Sequence, residues 1–443
     1  MMPLATLLCK TGANVTGSDR SYDNGNNPEK FQALKDSVIE LFPQDGSGIT
    51  KYIDILVVSS AIENSIPDVK SALENNIPII TRGQLLAQLF NAHEHKIAVA
   101  GTSGKSSVVG MIGTILSEMG ENPTIVNGGE IRNLQSSIQK GDSGLFIAEM
   151  DESDGSIAHY NPSIALLNNI ALDHKSMEEL EQLFGDYLAR ASDCVIVNFD
   201  QPRVKNLCEM RAKSRVISYG INDDMANLVA YNLEPYSMHG IKFHLNSYGS
   251  KYDVELNVAG RHNVENALAA LSVVFALGLD IERGVKALKL FKGIKRRMEY
   301  IGTSGGVAVY DDFAHNPDKI SASLQSLKDF DGRLIIMFQP HGFAPLRLMG
   351  EEMVEVFAKY LDSDDYLLMP EAYYAGGTVD RAVTAKHIIN DLTDKGVSAH
   401  WFKNRSEIPV FIKYIAKEGD RIVIMGARDD TLHDFAHDIL ALF

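Results

Sequence analysis

Residues Lys96–Leu116, KIAVAGTSGKSSVVGMIGTIL, constrain this chain more than any other stretch. The apolar run Ile97-Ala98-Val99-Ala100 stops at Gly101-Thr102-Ser103-Gly104-Lys105-Ser106-Ser107, and Val109, Ile112 and Leu116 then recur at helical spacing. Strand, glycine loop and helix follow in that order. Such a loop turns successive backbone N–H groups, and the positive end of the helix dipole, toward one small anion. A polyphosphate fits: Lys105 reaches for the β/γ-phosphates, and the Ser106 hydroxyl for the Mg²⁺ that bridges them. The stretch therefore predicts an ATP or GTP site. The full signature asks for its first glycine at position 99, where Val99 stands. Even so, G-K-S in register with strand and helix outweighs a tight turn whose lysine points into solvent.

The 443 residues divide, at ordinary domain sizes, into two to four domains, and we expect three. The net charge of −16, with no Lys/Arg-rich run, excludes a nucleic-acid backbone or an anionic membrane as the expected partner. Cys9, Cys194 and Cys208 are scattered without a C-x-x-C pair, which fits a reducing cytoplasm and argues against structural zinc. No signal peptide and no apolar stretch of about 20 residues occurs, so a soluble cytoplasmic protein, monomer or dimer, is expected.

Residues 1–94 alternate helix (Leu4–Cys9, Val69–Asn75) with strand (Asn14–Thr16, Ile53–Ser59, Ile77–Ile80), as half of a doubly wound sheet does. A dinucleotide-type unit opens with a strand and G-x-G-x-x-G, whereas here Met1-Met2-Pro3 already reads as the helix that would follow; that first strand and loop are expected to be missing. Residues 95–298 carry the phosphate loop, strands Leu145–Met150 and Ile164–Asn169, and an antiparallel excursion over Asn227–Val258. Residues 299–443 start afresh with Val307–Tyr310, a helix from Pro317, and strands Leu334–Phe338, Tyr366–Met369 and Arg421–Met425, a second doubly wound domain. The basic stretch Lys292–Glu299 reads as the hinge.

Ligands in open α/β sheets sit beyond the carboxyl ends of the strands. Glu149 ends one strand, and Asn169 with Asp173-His174 follows the next; carboxylate and imidazole beside a triphosphate suggest a divalent-metal site. The plainer readings are a solvated strand-end carboxylate and a structural imidazole. His262 and Asn266 share a helix face and suit an adenosine, although spacing alone favours a helix-start histidine. Arg296-Arg297 could clamp a γ-phosphate or form a solvated turn. Asp312, His315 and Lys319, and then His341 and Arg347, stand at strand ends or helix starts, where ribose or carboxylate binding competes with capping.

Together, the phosphate loop, Glu149-Met150-Asp151-Glu152-Ser153-Asp154, Asn169-Ile170 with Asp173-His174, Gly260-Arg261-His262-Asn263 with Asn266, Arg296-Arg297 and Asp311-Asp312-Phe313-Ala314-His315-Asn316-Pro317 resemble the Mur ligases. The match spans almost the whole chain, and the shortened loop with Val99 is the form that family uses. Val57-Val58-Ser59-Ser60-Ala61-Ile62, Asn127-Gly128-Gly129 and Phe338-Gln339-Pro340-His341 look like the branch that adds L-alanine to UDP-N-acetylmuramate. Asp311-Asp312-Phe313-Ala314-His315 and Lys295-Arg296-Arg297-Met298-Glu299 look more like its tripeptide-recycling relative. The alanine-adding branch has arginines just after Gln-Pro-His; here Gly342 and Pro345 replace them and Arg347 remains.

The resemblance implies three α/β domains: a truncated Rossmann-like N-terminal domain, a central P-loop ATPase-type domain and a C-terminal Rossmann-like domain. It implies ATP- and Mg²⁺-dependent amide-bond formation through an acyl phosphate, between a nucleotide sugar or muropeptide and an amino acid or peptide, with closure about the hinge. By that likeness the 101–107 loop holds phosphate, Ser106, Glu149 and His174 hold metal, and Asn169 and Arg297 steady the phosphates. His262 and Asn266 read the adenosine, and Asp312 takes the ribose. Ser18, Asp19, Ser59, Ser60, Asn127, Gly128, His315, His341 and Arg347 contact the substrates. A non-catalytic ATP-binding regulator is the alternative from another class.

Overall fold

The computed structural model describes every residue except 27, 60, 61, 154, 173, 174, 222, 224, 237, 238 and 374–381. The chain gathers into two compact units: residues 1–233, 242–256 and 262–292 form one, and residues 234–241, 257–261 and 293–443 the other.

The first unit begins with four short strands, β1 (Thr16–Ser18), β2 (Glu40–Phe42), β3 (Leu56–Val58) and β4 (Ile79–Thr81). They pair in parallel as β1-β2 and β3-β4, two separate sheets rather than the single sheet expected from the alternation. Asp68 links the two halves at the start of the helix Pro67–Glu74: one carboxylate oxygen accepts from the Ser18 hydroxyl, and the other from Gly46 N–H at 2.7 Å.

Ten strands follow: β5 (His95–Ala100), β6 (Thr124–Ile131), β7 (Ser136–Gln139), β8 (Leu145–Glu149), β9 (Ile164–Leu167), β10 (Cys194–Asn198), β11 (Arg215–Gly220), β12 (Leu228–Tyr236), β13 (Gly240–Ser247) and β14 (Ser250–Leu256). They form one sheet in the order β14-β13-β12-β11-β10-β9-β5-β8-β6-β7. The turn Tyr248-Gly249, with φ of 48° and 91°, joins β13 to β14 as a two-residue hairpin does. Near-continuous apolar runs such as Ile97–Ala100 and Leu145–Ala148 are buried because both sheet faces are covered. Leu4, Leu7, Leu85, Leu86 and Phe90, from helices Met2–Lys10 and Arg82–Asn91, join that core; Phe90 meets Phe146 and Tyr160 edge-on at 5.5 and 5.3 Å. The N-terminal segment therefore shares a core with the central sheet.

The second unit holds β15 (Glu299–Ser304), β16 (Val307–Asp312), β17 (Leu334–Gln339), β18 (Tyr366–Pro370), β19 (Ser398–Phe402) and β20 (Arg421–Gly426), ordered β15-β16-β20-β17-β18-β19. Only the β15–β16 pair is antiparallel. Side chains alternate faces: Ala308, Tyr310, Leu334, Ile336 and Phe338 enter one core, and Val307, Val309, Ile335 and Met337 the other. This is the doubly wound arrangement expected. Among the described residues no helix is long and apolar enough to cross a membrane.

Candidate active site

β5 pairs in parallel with β8 on one side and β9 on the other, with Val99 opposite Glu149 and Ala100 opposite Leu167. The carboxyl ends of the three strands therefore deliver the glycine loop, Glu149 and Asn168-Asn169 to one edge of the sheet, where the strand order switches. The helix Lys105–Glu118 leaves from Gly104, which sits in the left-handed region at φ 83°. A Cβ there would lie 2.5 Å from Asn266 Oδ1 and 2.6 Å from Asn168 Nδ2, so only glycine fits.

The loop is clamped from below. Asn169 Oδ1 accepts from Ser103 N–H at 2.8 Å, and its Nδ2 donates to Ser103 O at 3.0 Å. Thr102 Oγ1 donates to Ala171 O at 3.1 Å and accepts from Ala171 N–H at 3.0 Å. Asn168, 2 % exposed, donates to Ser103 O at 3.2 Å and to Asn266 Oδ1 at 2.9 Å, and accepts from the Tyr219 hydroxyl at 2.6 Å. Asn266 donates to Asn263 Oδ1 at 3.1 Å and is itself 2 % exposed. This amide is buried against Gly104 and bonded to Asn168 and Asn263, so it buttresses the loop. His262, at the start of the same helix, is exposed.

Lys105 Nζ donates to Gly101 O at 2.7 Å and to Glu152 Oε2 at 2.8 Å, an ion pair whose side chains are 13 % and 7 % exposed. Ser106 Oγ donates to Glu149 Oε2 at 2.7 Å, and the same oxygen accepts from Gly128 N–H at 2.9 Å. A Cβ on Gly128 would approach both carboxylate oxygens to 2.8 Å. Asn127 Nδ2 donates to Ser106 O at 3.3 Å, while its Oδ1 is buried without a partner. The paired hydroxyl and carboxylate are oxygen donors of the kind a hard divalent cation selects. Gly128 N–H thus serves this carboxylate, while the Asn127 amide donates to Ser106 O and Gly129 O. Ser107 is half-buried in the first helical turn. His174, with Asp173, lies outside the described residues, as does Ser60.

In the first strands, the Ser18 hydroxyl is engaged by Asp68, and Asp19 caps the helix Arg20–Asp23 by accepting from Ser21 N–H at 2.7 Å. Ser59 is half-buried just after β3.

In the second unit the two hinge arginines part. Arg296, 8 % exposed with φ 56°, donates Nε to Asp311 Oδ1 at 3.3 Å, Nη1 to Asp429 O at 3.1 Å and Nη2 to Gly426 O at 2.8 Å. Its backbone N–H donates to Glu299 Oε2 at 2.8 Å, and His433 Nδ1 lies 3.0 Å from Asp311. Glu299, Asp311 and His433 bring ligand-type atoms within 4.8 Å of one another, but the guanidinium already supplies the positive charge that a metal would. Arg297 is exposed. Asp312 is 4 % exposed, with its oxygens taken by Met298 N–H at 3.1 Å and the Ser323 hydroxyl. Burial raises its pKa above the usual carboxylate range, against the bonds from Ser323 and Met298 that lower it. The enclosed carboxylate ties Met298 and the helix Pro317–Lys328 to the end of β16.

Beyond β16 and β17, the His315 and His341 rings meet edge-to-face at 5.1 Å and 82°. Burial first, then the charges of His315, Arg428 and Lys319, hold His341 down to about 4, so it is neutral near pH 7; its Nδ1 is enclosed without a partner. Arg347 is exposed on the helix Phe343–Tyr360.

Family profiles match along the chain: the Mur ligase family catalytic domain over residues 1–94, the Mur ligase middle domain over 99–274 and the Mur ligase glutamate ligase domain over 296–428. The UDP-N-acetylmuramate–L-alanine ligase of Agathobacter rectalis is 31 % identical over 435 residues, 96 % of this chain and 93 % of its own length. This chain belongs to the Mur ligase family. The corresponding ligase of Sulfurihydrogenibium sp. is 32 % identical over 97 % of this chain and 93 % of its own. Among solved structures, the UDP-N-acetylmuramate–alanine ligase of Thermotoga maritima superposes with TM-score 0.80 at 22 % identity, covering 100 % of this chain and 95 % of that one. The murein peptide ligase of Psychrobacter arcticus gives 0.69 at 25 %, covering 99 % and 95 %. As a Mur ligase the chain is an ATP-dependent acid–amino acid ligase.

Sequence reading missed Asn168, Tyr219 and Glu152. The doubled asparagine at the end of β9 was a signal for the first of these, and the carboxylate run after β8 for the last.

Proposed function

We propose that this Mur ligase joins the lactyl carboxylate of UDP-N-acetylmuramate to L-alanine in the cytoplasm, during peptidoglycan precursor synthesis. The carboxylate takes the γ-phosphoryl group of ATP to give an acyl phosphate and ADP; the amine then attacks the acyl carbon, and phosphate leaves. The observation that carries this reading is the loop that brings Lys105 and the Ser106–Glu149 pair to one strand edge, in a chain akin to alanine-adding ligases along its whole length.

Each group has a task that its surroundings support. Backbone N–H groups of the 101–107 loop and the start of its helix receive the phosphate oxygens. Lys105, steadied by Gly101 O and Glu152, presents its ammonium to the transferring phosphoryl group. Ser106 and Glu149 would hold Mg²⁺, which neutralises charge on the phosphates when bound; His174 joins them by the family likeness alone. Asn168, Asn169 and Asn266 keep the loop in shape. Arg297 offers a forked guanidinium to phosphate oxygens. His315, His341 and Arg347 face the amino acid: the cations suit its carboxylate, and an imidazole held neutral accepts a hydrogen bond from its ammonium.

The likeness to a murein peptide ligase, together with Asp311-Asp312-Phe313-Ala314-His315, favours a second acceptor, the L-alanyl-γ-D-glutamyl-meso-diaminopimelate tripeptide. Phosphate release, measured with ATP, Mg²⁺, UDP-N-acetylmuramate and each acceptor in turn, separates the two. Release with L-alanine, absent when either substrate is omitted, is expected. Release with the tripeptide alone would assign the second acceptor, and release with neither would remove the ligase reading.

A further inference from the structure

Phe313, the residue that follows β16, stands where the hinge and the two imidazoles meet. Its backbone N–H donates to Arg296 O at 2.8 Å, and its carbonyl accepts from His315 Nδ1 at 2.8 Å. A carbonyl has no proton to give, so Nδ1 of His315 carries the hydrogen. The Phe313 ring is half-buried and belongs to neither apolar core described for this unit. Its neighbours are polar instead. The guanidinium carbons of Arg297 and Arg296 lie 5.1 and 5.2 Å from the ring centroid, within cation–π range. The His315 ring meets it edge-to-face at 5.4 Å and 84°, and His315 in turn meets His341.

We propose that Phe313 is a positioning residue for the ligation: one aromatic ring fixes the Arg297 guanidinium and the His315–His341 pair relative to each other. The step from phosphoryl transfer to attack by the amine needs both ends of the acyl phosphate served in one geometry: its phosphate oxygens by a cation, and the incoming nitrogen by a hydrogen-bond acceptor. Arg297 is a flexible side chain on an exposed turn, and His315 a ring on a helix approach; the face and edge of Phe313 remove the freedom of both. The inference rests on the roles given above to Arg297 and the imidazoles.

Phe313→Leu keeps the apolar volume and removes the π face, while Phe313→Tyr keeps the ring. With the full-length enzyme, Phe313→Leu should lower kcat by roughly tenfold, the scale of one lost cation–π and one lost edge-to-face contact. The KM for ATP should change far less, because the loop that binds the phosphates is untouched. Phe313→Tyr should restore kcat to within about twofold of wild type. The thermal midpoint of both variants should stay near wild type, since the ring lies outside the cores. Wild-type kcat in Phe313→Leu, or an equal loss in Phe313→Tyr, would overturn the proposal. A second reading does not depend on turnover. In enzyme labelled with ¹⁵N-histidine, the ring shifts of His315 should report protonated Nδ1 in wild type and a mixture of tautomers in Phe313→Leu. A wild-type His315 protonated on Nε2, or an unchanged spectrum in the variant, would defeat the link through Phe313 even if the acceptor reading also failed for want of phosphate release.

Discussion

Lys105→Met is expected to lower kcat by about 10²–10³-fold or more, the scale of losing one preorganised charge aimed at a transition state. The ammonium is held by Gly101 O at 2.7 Å and Glu152 at 2.8 Å in a cleft where both side chains are nearly covered. The substitution also strands the Glu152 carboxylate, which costs stability independently of catalysis. The double variant Lys105→Met with Glu152→Gln separates the two effects. It should recover the thermal midpoint lost by the single variant and recover none of the turnover. Recovery of activity in the double variant would mean that the lysine acts only by neutralising Glu152.

Arg296→Met should destabilise the C-terminal unit by about 3–5 kcal/mol, the usual cost of removing one partner from a buried charge network. The guanidinium bonds Asp311 and the carbonyls of Gly426 and Asp429, on a residue whose backbone N–H holds Glu299 and whose φ is 56°. Trp401, the single tryptophan of the chain, lies on β19 in that unit, so its fluorescence during urea unfolding reads the effect directly. The loss should depend on pH. Burial raises the pKa of Asp311 above the ordinary aspartate value, partly offset by Arg296 and His433. A carboxyl whose folded pKa is raised contributes stability that is complete below the unfolded pKa and is lost as pH rises through the folded one. Without Arg296 the folded pKa rises further, so the deficit of the variant should be largest near neutral pH and shrink as pH falls toward the ordinary aspartate pKa. A deficit independent of pH would mean that Arg296 acts through packing alone.

The strand, glycine loop and helix were legible because their determinants are local. Gly101 to Ser107 needs only a strand before it and a helix after it, and Glu149 needs only to end the neighbouring parallel strand. What the sequence left hidden is burial. His262 and Asn266 share a helix face by spacing, yet the first is exposed and the second is buried against Gly104. Asn168 and Asn169 differ by one position at a strand end, which sends one amide into the core and the other to the loop. Arg296 and Arg297 read as one basic turn until the carboxylates of β15 and β16 claim the first of them. The pairing of the N-terminal strands into two sheets depends on contacts across the chain that alternation of helix and strand does not encode.

The central claim is that ATP activates a carboxylate by giving it the γ-phosphoryl group. UDP-N-acetylmuramate labelled with ¹⁸O in its carboxylate, turned over with ATP, Mg²⁺ and L-alanine, tests this most directly, with mass spectrometry of the released phosphate as the readout. The account expects each phosphate to carry one oxygen from the carboxylate, because the bridging oxygen of the acyl phosphate leaves with phosphorus. Unlabelled phosphate formed in step with amide product would contradict it.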